Sequence, residues 1–218
     1  GKVYVFHSGE KAAYQLQKDL PVFQGDTLVA MTRSRANVKL HDKSAFALAP
    51  SSKIVIDESV YDPQKEERSS FLKLLFGRAR FYVAKLRGQT NYKVGTPTAV
   101  AAVRGSDFAL AVYPHQEKSS WLQRLYAALD PVPLAYAQDP SSVLATVVCT
   151  GETTTITFSG LVGPLQSLGP IQVSYAAPGL AAAGPIQVTL GAALKALGAV
   201  GPKLAAISMP PGAVPAQD

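Results

Sequence analysis

The sequence predicts an all-β chain. Its expected form is an antiparallel sandwich or short solenoid-like sheet, with a β-rich Gly/Pro/Ala C-terminal extension and one short helix. Three observations lead there. Short apolar runs alternate with period two, and clusters of Gly, Pro, Asn, Asp and Ser separate them at near-regular spacing. Apolar residues make up 47% of the 218 and charged residues 17%, so there is material for a core.

Taken in order, Val3, Val5 and His7 alternate with Lys2, Tyr4 and Phe6, which marks a first strand. Gln24-Gly25-Asp26 reads as a turn into a strand over Thr27-Leu28-Val29-Ala30. Ala36, Val38 and Leu40 then alternate with Asn37 and Lys39, and His41-Asp42-Lys43-Ser44 supplies a hairpin turn toward Phe46 and Leu48. Ile54-Val55-Ile56 is the next strand. Residues 61–70 are polar and read as a solvated loop. Phe71 to Phe76, Arg80 to Lys85, Tyr92 to Val94 and Phe108 to Val112 are four further strands.

Composition divides the chain into residues 1–113, an insertion at 114–141, and an extension at 142–218. Residues 1–119 hold 18 of the 21 Lys and Arg and 11 of the 15 Asp and Glu, a balance of +7. The remainder balances at −1: Arg124, Lys195 and Lys203 against Asp130, Asp139, Glu152 and Asp218. In the insertion, Ser119-Ser120 caps a short helix on which Trp121, Leu122, Leu125, Tyr126 and Leu129 share a face, and Asp130-Pro131 ends it. Strands resume at Val143 to Val148 and Thr153 to Phe158. A short repeat follows: Gly169-Pro170-Ile171-Gln172-Val173-Ser174 recurs as Gly184-Pro185-Ile186-Gln187-Val188-Thr189. Each Gly-Pro sets a turn and each Ile-Gln-Val alternates like a strand. Leu190, Leu194 and Leu197 have the spacing of a further short helix, which Gly191 and Gly198 weaken.

Several functions are excluded on inventory. A single cysteine, Cys149, permits no internal disulfide and no cysteine-based zinc site, and it reads as a buried small apolar group. His7, His41 and His115 have no local nucleophile motif, so neither His7 on its strand nor His41-Asp42 in its turn reads as catalytic. Asp57-Glu58 and Glu66-Glu67 lack calcium-loop spacing. No cofactor or metal is expected. Apolar runs stop short of the ~18 residues of a membrane helix. The pI of about 9.4 raises nucleic acid, but acidic residues are interspersed and stacking motifs are absent, so no nucleic-acid partner is expected. Arg33 with Arg35, and Arg78 with Arg80, two apart as on one strand face, suit an anionic envelope polymer instead. No secretory leader is visible, and the strand-like opening at Gly1 suits a chain whose export leader has been removed and equally a chain trimmed from a longer one.

The most informative stretch runs from Val94 to Phe108 (VGTPTAVAAVRGSDF). Gly105 between Arg104 and Ser106 implies a bend closed to side chains, Arg104 and Asp107 are placed to pair across it, and Phe108 to anchor it. Thr96-Pro97 suits a loop or sheet edge. This stretch resembles the closing motif of the FecR domain, a Thr-Pro-x-Ala segment leading into Val-Arg-Gly-Thr/Ser-Asp/Glu-Phe. Gly25-Asp26 resembles the early turn of that family. Residues 35–44 (RANVKLHDKS) resemble its hairpin, with Lys43 where glycine is commoner, and Gly77 falls in its Leu-x-x-Gly-x-Val/Ala-x-Phe element.

The resemblance implies an all-β domain in a periplasmic or extracellular setting, and such domains commonly serve regulators that sense a partner. The first expectation for this chain is a non-catalytic assembly module with a protein partner, including copies of itself. Its near-uncharged tail motivates that expectation, with Ile171, Val173, Ile186, Val188, Leu190, Leu194 and Leu197 as self-association residues. The alternatives are a sensor of the FecR regulatory type and a polysaccharide-binding module.

Overall fold

The computed structural model describes residues 1–10, 12–114, 144–150, 156–160, 163–170, 172–176 and 185–187. The expected helices at 120–129 and 190–197 lie outside them. Fifteen strands lie among the described residues. In chain order they are β1 (Val3–Phe6), β2 (Tyr14–Gln15), β3 (Thr27–Ala30), β4 (Ala36–Lys39), β5 (Ala45–Leu48), β6 (Ser52–Asp62), β7 (Glu67–Tyr82) and β8 (Thr90–Gly95). There follow β9 (Ala99–Val103), β10 (Asp107–Pro114), β11 (Leu144–Thr150), β12 (Ile156–Gly160), β13 (Gln166–Leu168), β14 (Gln172–Ala176) and β15 (Ile186–Gln187).

The all-β expectation holds, and the sheet is mixed. One layer has the order β2-β1-β3-β6-β7-β8-β9-β12-β13, and the other β4-β5-β7-β10-β11-β14-β15. Every pairing is antiparallel except β7 with β8, which runs parallel from Arg68 opposite Thr90 to Lys73 opposite Gly95. Strand β7 serves both layers. Its residues up to Phe76 pair with β6, and those from Gly77 onward pair with β10 and β5. The sequence suggests two strands here because Gly77 interrupts the apolar pattern. It is one strand of 16 residues, and the glycine is the corner at which it changes sheet.

The corner needs glycine. Gly77 has φ +85°, and a Cβ there would lie 2.6 Å from the Ser51 carbonyl oxygen. Ser52 Oγ holds the corner by accepting from Arg78 N–H at 2.9 Å. The solvated loop expected at 61–70 is a hairpin tip instead, because β6 continues through Asp62 and β7 starts at Glu67. Period two runs backward from the buried Leu74 and Leu72 through Ser70 to Arg68, and all four face inward.

One core lies between the layers. Phe46, Phe81 and Phe108 sit directly opposite one another across β5, β7 and β10. The Phe81 and Phe108 rings are stacked with centroids 5.1 Å apart, and Phe46 is tilted against Phe81 at 6.1 Å. Leu28, Ile54, Ile56, Leu72, Leu74, Tyr92 and Phe158 complete the same cluster from the other layer.

The described strands beyond residue 142 join these layers. β11 pairs with β10, and β12 with β9. The two repeat copies meet as neighbours: Gln172 in β14 lies opposite Gln187 in β15, and Val173 opposite Ile186. Val173 is 4% exposed. Ile171, Val188, Leu190, Leu194 and Leu197 lie outside the described residues, as do the side chains of Cys149 and Ile186.

Candidate functional site

A second glycine corner carries the chain between layers at Arg104-Gly105-Ser106, where β9 of the first layer gives way to β10 of the second. Gly105 has φ +79°. A Cβ there would lie 3.0 Å from Lys85 Cα and would overlap Lys85 Cγ. Two backbone bonds fix the bend against the end of β7: Val83 N–H donates to Ser106 O at 2.8 Å, and Ser106 N–H to Val83 O at 3.0 Å. Phe108 then anchors the emerging strand in the aromatic stack. Upstream, Thr96 closes the β8–β9 turn: its Oγ1 accepts from Ala99 N–H at 3.0 Å and donates to Ala99 O at 3.1 Å. Pro97 is exposed in that turn.

The expected pairing of Arg104 with Asp107 does not form. Asp107 pairs with Arg80 instead: Arg80 Nε donates to Oδ1 at 2.9 Å and Nη2 donates to Oδ2, a two-pronged contact. The register explains it. Asp107 lies opposite Tyr82 on β7, which brings Arg80 alongside, whereas the bend turns Arg104 outward. Arg104 is exposed and among the described residues has no ion pair. Its charge faces a cleft of about 380 Å³ lined by Lys85, Ala102, Arg104, Gly105, Ser106, Ile156 and Thr157. Ile156 and Thr157 reach it because β12 pairs with β9, with Ile156 opposite Val103 and Thr157 opposite Ala102. Sequence reading singled out Arg104 and Gly105 but missed Lys85 and Thr157, which only the pairing of distant strands brings near.

Two buried polar clusters complete the inventory. Asp42, expected to be solvated, is buried and receives Arg68 Nη1 at 2.9 Å, with side-chain exposures of 3% and 0%. Ser44 joins them: its N–H donates to Asp42 Oδ1 at 3.0 Å, its Oγ donates to Asp42 Oδ2 at 2.8 Å, and Oγ accepts from Arg68 Nη1 at 2.9 Å. Arg68 comes from the first layer and Asp42 from the β4–β5 turn of the second, so this cluster ties the layers together. The guanidinium lies over the Tyr92 ring at 5.2 Å. Burial, and then the Asp42 carboxylate, push the Tyr92 phenol far above its ordinary pKa, while Arg68 pulls the other way.

The second cluster is at the early turn. Asp26 is buried, its Oδ1 lies 2.9 Å from His7 Nδ1, and its Oδ2 accepts Phe23 N–H at 2.8 Å. Gly25, at φ +88°, lets that turn approach Ser8. An Asp–His contact can orient a catalytic imidazole, but here the same carboxylate also closes the Phe23–Asp26 turn, which is structural work. Arg33 lies in a turn at φ +59° and not on a strand face, so the expected Arg33–Arg35 stripe does not form. Among the described residues no group of three or more His, Cys, Asp or Glu could hold a metal ion, and no helix is long and apolar enough to cross a membrane.

Residues 26–122 match the family model described as FecR protein. Two solved structures are similar to this chain in part, each of a candidate anti-sigma factor from Parabacteroides distasonis ATCC 8503. Both are 14% identical over 72% of this chain, with TM-scores of 0.46 and 0.47. The chain spans 59% of the length of those structures. No curated protein matches.

Proposed function

We propose that this chain, carrying a FecR domain, is a regulatory module that works by contact with a protein partner and performs no chemistry of its own. The observation that carries this reading is the family match over residues 26–122, a span that takes in the glycine corners at 77 and 105 and the aromatic stack. The polar geometry supports it. Asp42, Arg68 and Ser44 hold one another, and Asp26 is engaged by His7 and by a turn amide, so these groups act on the fold. The setting is periplasmic or extracellular, as the family implies.

This reading takes precedence over an assembly module. Of the seven residues expected to self-associate, Val173 is 4% exposed in a single chain and is paired in register with Ile186 between β14 and β15.

Deleting the gene in its host and comparing transcripts tests the proposal. A regulatory module changes a limited set of transcripts, restored by the wild-type chain. Unchanged transcripts under every tested envelope stress would overturn it.

A further inference from the structure

We infer that the cleft at the second corner is a carboxylate-binding subsite for the protein partner, with Lys85 and Arg104 as its two cations. The inference rests on the regulatory reading for the partner, and on the cleft itself for the chemistry. Asp107, the acid nearest to Arg104 in sequence, is held by Arg80 in a two-pronged contact. No described residue forms an ion pair with Arg104 or Lys85, so among the described residues two like charges share one cleft without a counter-ion. Such a cleft concentrates the field of its charges and attracts an anion.

The backbone there is rigid. The Val83–Ser106 bonds and the close approach of Gly105 to Lys85 fix the distance between the segments that carry the two cations. A side chain at position 105 would intrude on the space between them. The lining decides the class of anion. Ala102 contributes apolar surface, and Thr157 a hydroxyl, in about 380 Å³, while the Ile156 side chain turns into the core. An amino-acid residue carrying a carboxylate on an aliphatic stem satisfies both characters, with the fork of Arg104 matching the two carboxylate oxygens. A bare phosphate would leave the apolar lining uncovered. The carboxylate can come from an acidic side chain or from a chain terminus, and the test separates them.

The full chain, labelled for NMR on backbone amides and arginine Nε, would be titrated with three pentapeptides and with inorganic phosphate. One peptide is capped at both ends with a central glutamate between valines, the second has glutamine in its place, and the third is an uncapped glycine–valine peptide whose sole carboxylate is its C terminus. The expected result is a saturable shift of Arg104 Nε and the Gly105 and Thr157 amides with a carboxylate peptide. Affinity should be at least fivefold above that for the glutamine peptide, and should fall at least fivefold in Arg104→Gln and, separately, in Lys85→Gln. A response to the capped glutamate peptide assigns a side chain, and a response to the uncapped peptide a terminus. No saturable shift, an equal response to glutamine, insensitivity to both variants, or tighter binding of phosphate than of either peptide would each overturn the inference. The titration reads binding alone, so its failure removes the subsite and leaves the transcript test of the regulatory reading intact.

Discussion

Two arginine–carboxylate pairs join distant parts of this chain, and they differ in what surrounds them. Arg68 and Asp42 meet between the layers with side-chain exposures of 0% and 3%, while Arg80 and Asp107 meet near the surface at 17% and 30%. A buried pair has given up hydration on both sides, so removing one member leaves a charge with neither water nor partner. A half-exposed pair can fall back on water. The difference teaches that Asp42 is a structural requirement, whereas Asp107 adjusts a surface and, among the described residues, leaves Arg104 without an ion pair.

Removing Asp42 should have the largest effect. Asp42→Ala strands the Arg68 guanidinium and frees the Ser44 amide, and a loss of about 3–5 kcal/mol is expected by urea denaturation. A loss below about 1 kcal/mol would show that water reaches Arg68 and that the two pairs are alike. Next comes the first corner. Gly77→Ala places a methyl against the Ser51 carbonyl at positive φ, and a loss of about 2–4 kcal/mol is expected from strain and overpacking together. Melting temperature reports it, and an unchanged value would mean that β7 can change sheet without a glycine.

The surface pair should matter less. Asp107→Ala is expected to lose about 1 kcal/mol, with the loss shrinking in high salt. A salt-independent loss of several kcal/mol would place that pair in the same class as Arg68–Asp42. The smallest effect has the opposite sign. Lys43 takes φ +66° in the turn that presents Asp42, where glycine carries no steric penalty. Lys43→Gly should stabilise by up to about 1 kcal/mol, because relief of the left-handed strain outweighs the added chain entropy.

Local pattern made much of the fold legible. The alternation of Ala36, Val38 and Leu40, the turn at His41–Ser44, and Phe108 as an anchor all follow from neighbours in sequence. The long strand β7 was harder, because Gly77 breaks the apolar period where the strand changes sheets. Arg68 was hidden for a different reason: it sits in a run of polar residues, and only the inward phase of Leu72 and Leu74, continued backward, marks it. The ion pairs were the least legible. Arg68 reaches 26 residues back to Asp42, and Arg80 reaches 27 forward to Asp107, so separation along the chain gives no hint of either. Reading locally, Arg104 and Asp107 looked like partners, but register overrides adjacency. The cleft inherits the same difficulty, since Lys85, Arg104 and Thr157 come together only when β7, β9 and β12 are in place.

The claim that Asp107 belongs to Arg80, leaving the Arg104 charge for another chain, is tested most directly by two double-mutant cycles on stability. One pairs Arg80→Ala with Asp107→Ala, and the other Arg104→Ala with Asp107→Ala. The expected coupling is about 0.5–1 kcal/mol in the first cycle and within about 0.3 kcal/mol of zero in the second. A second cycle that couples as strongly as the first would contradict the account.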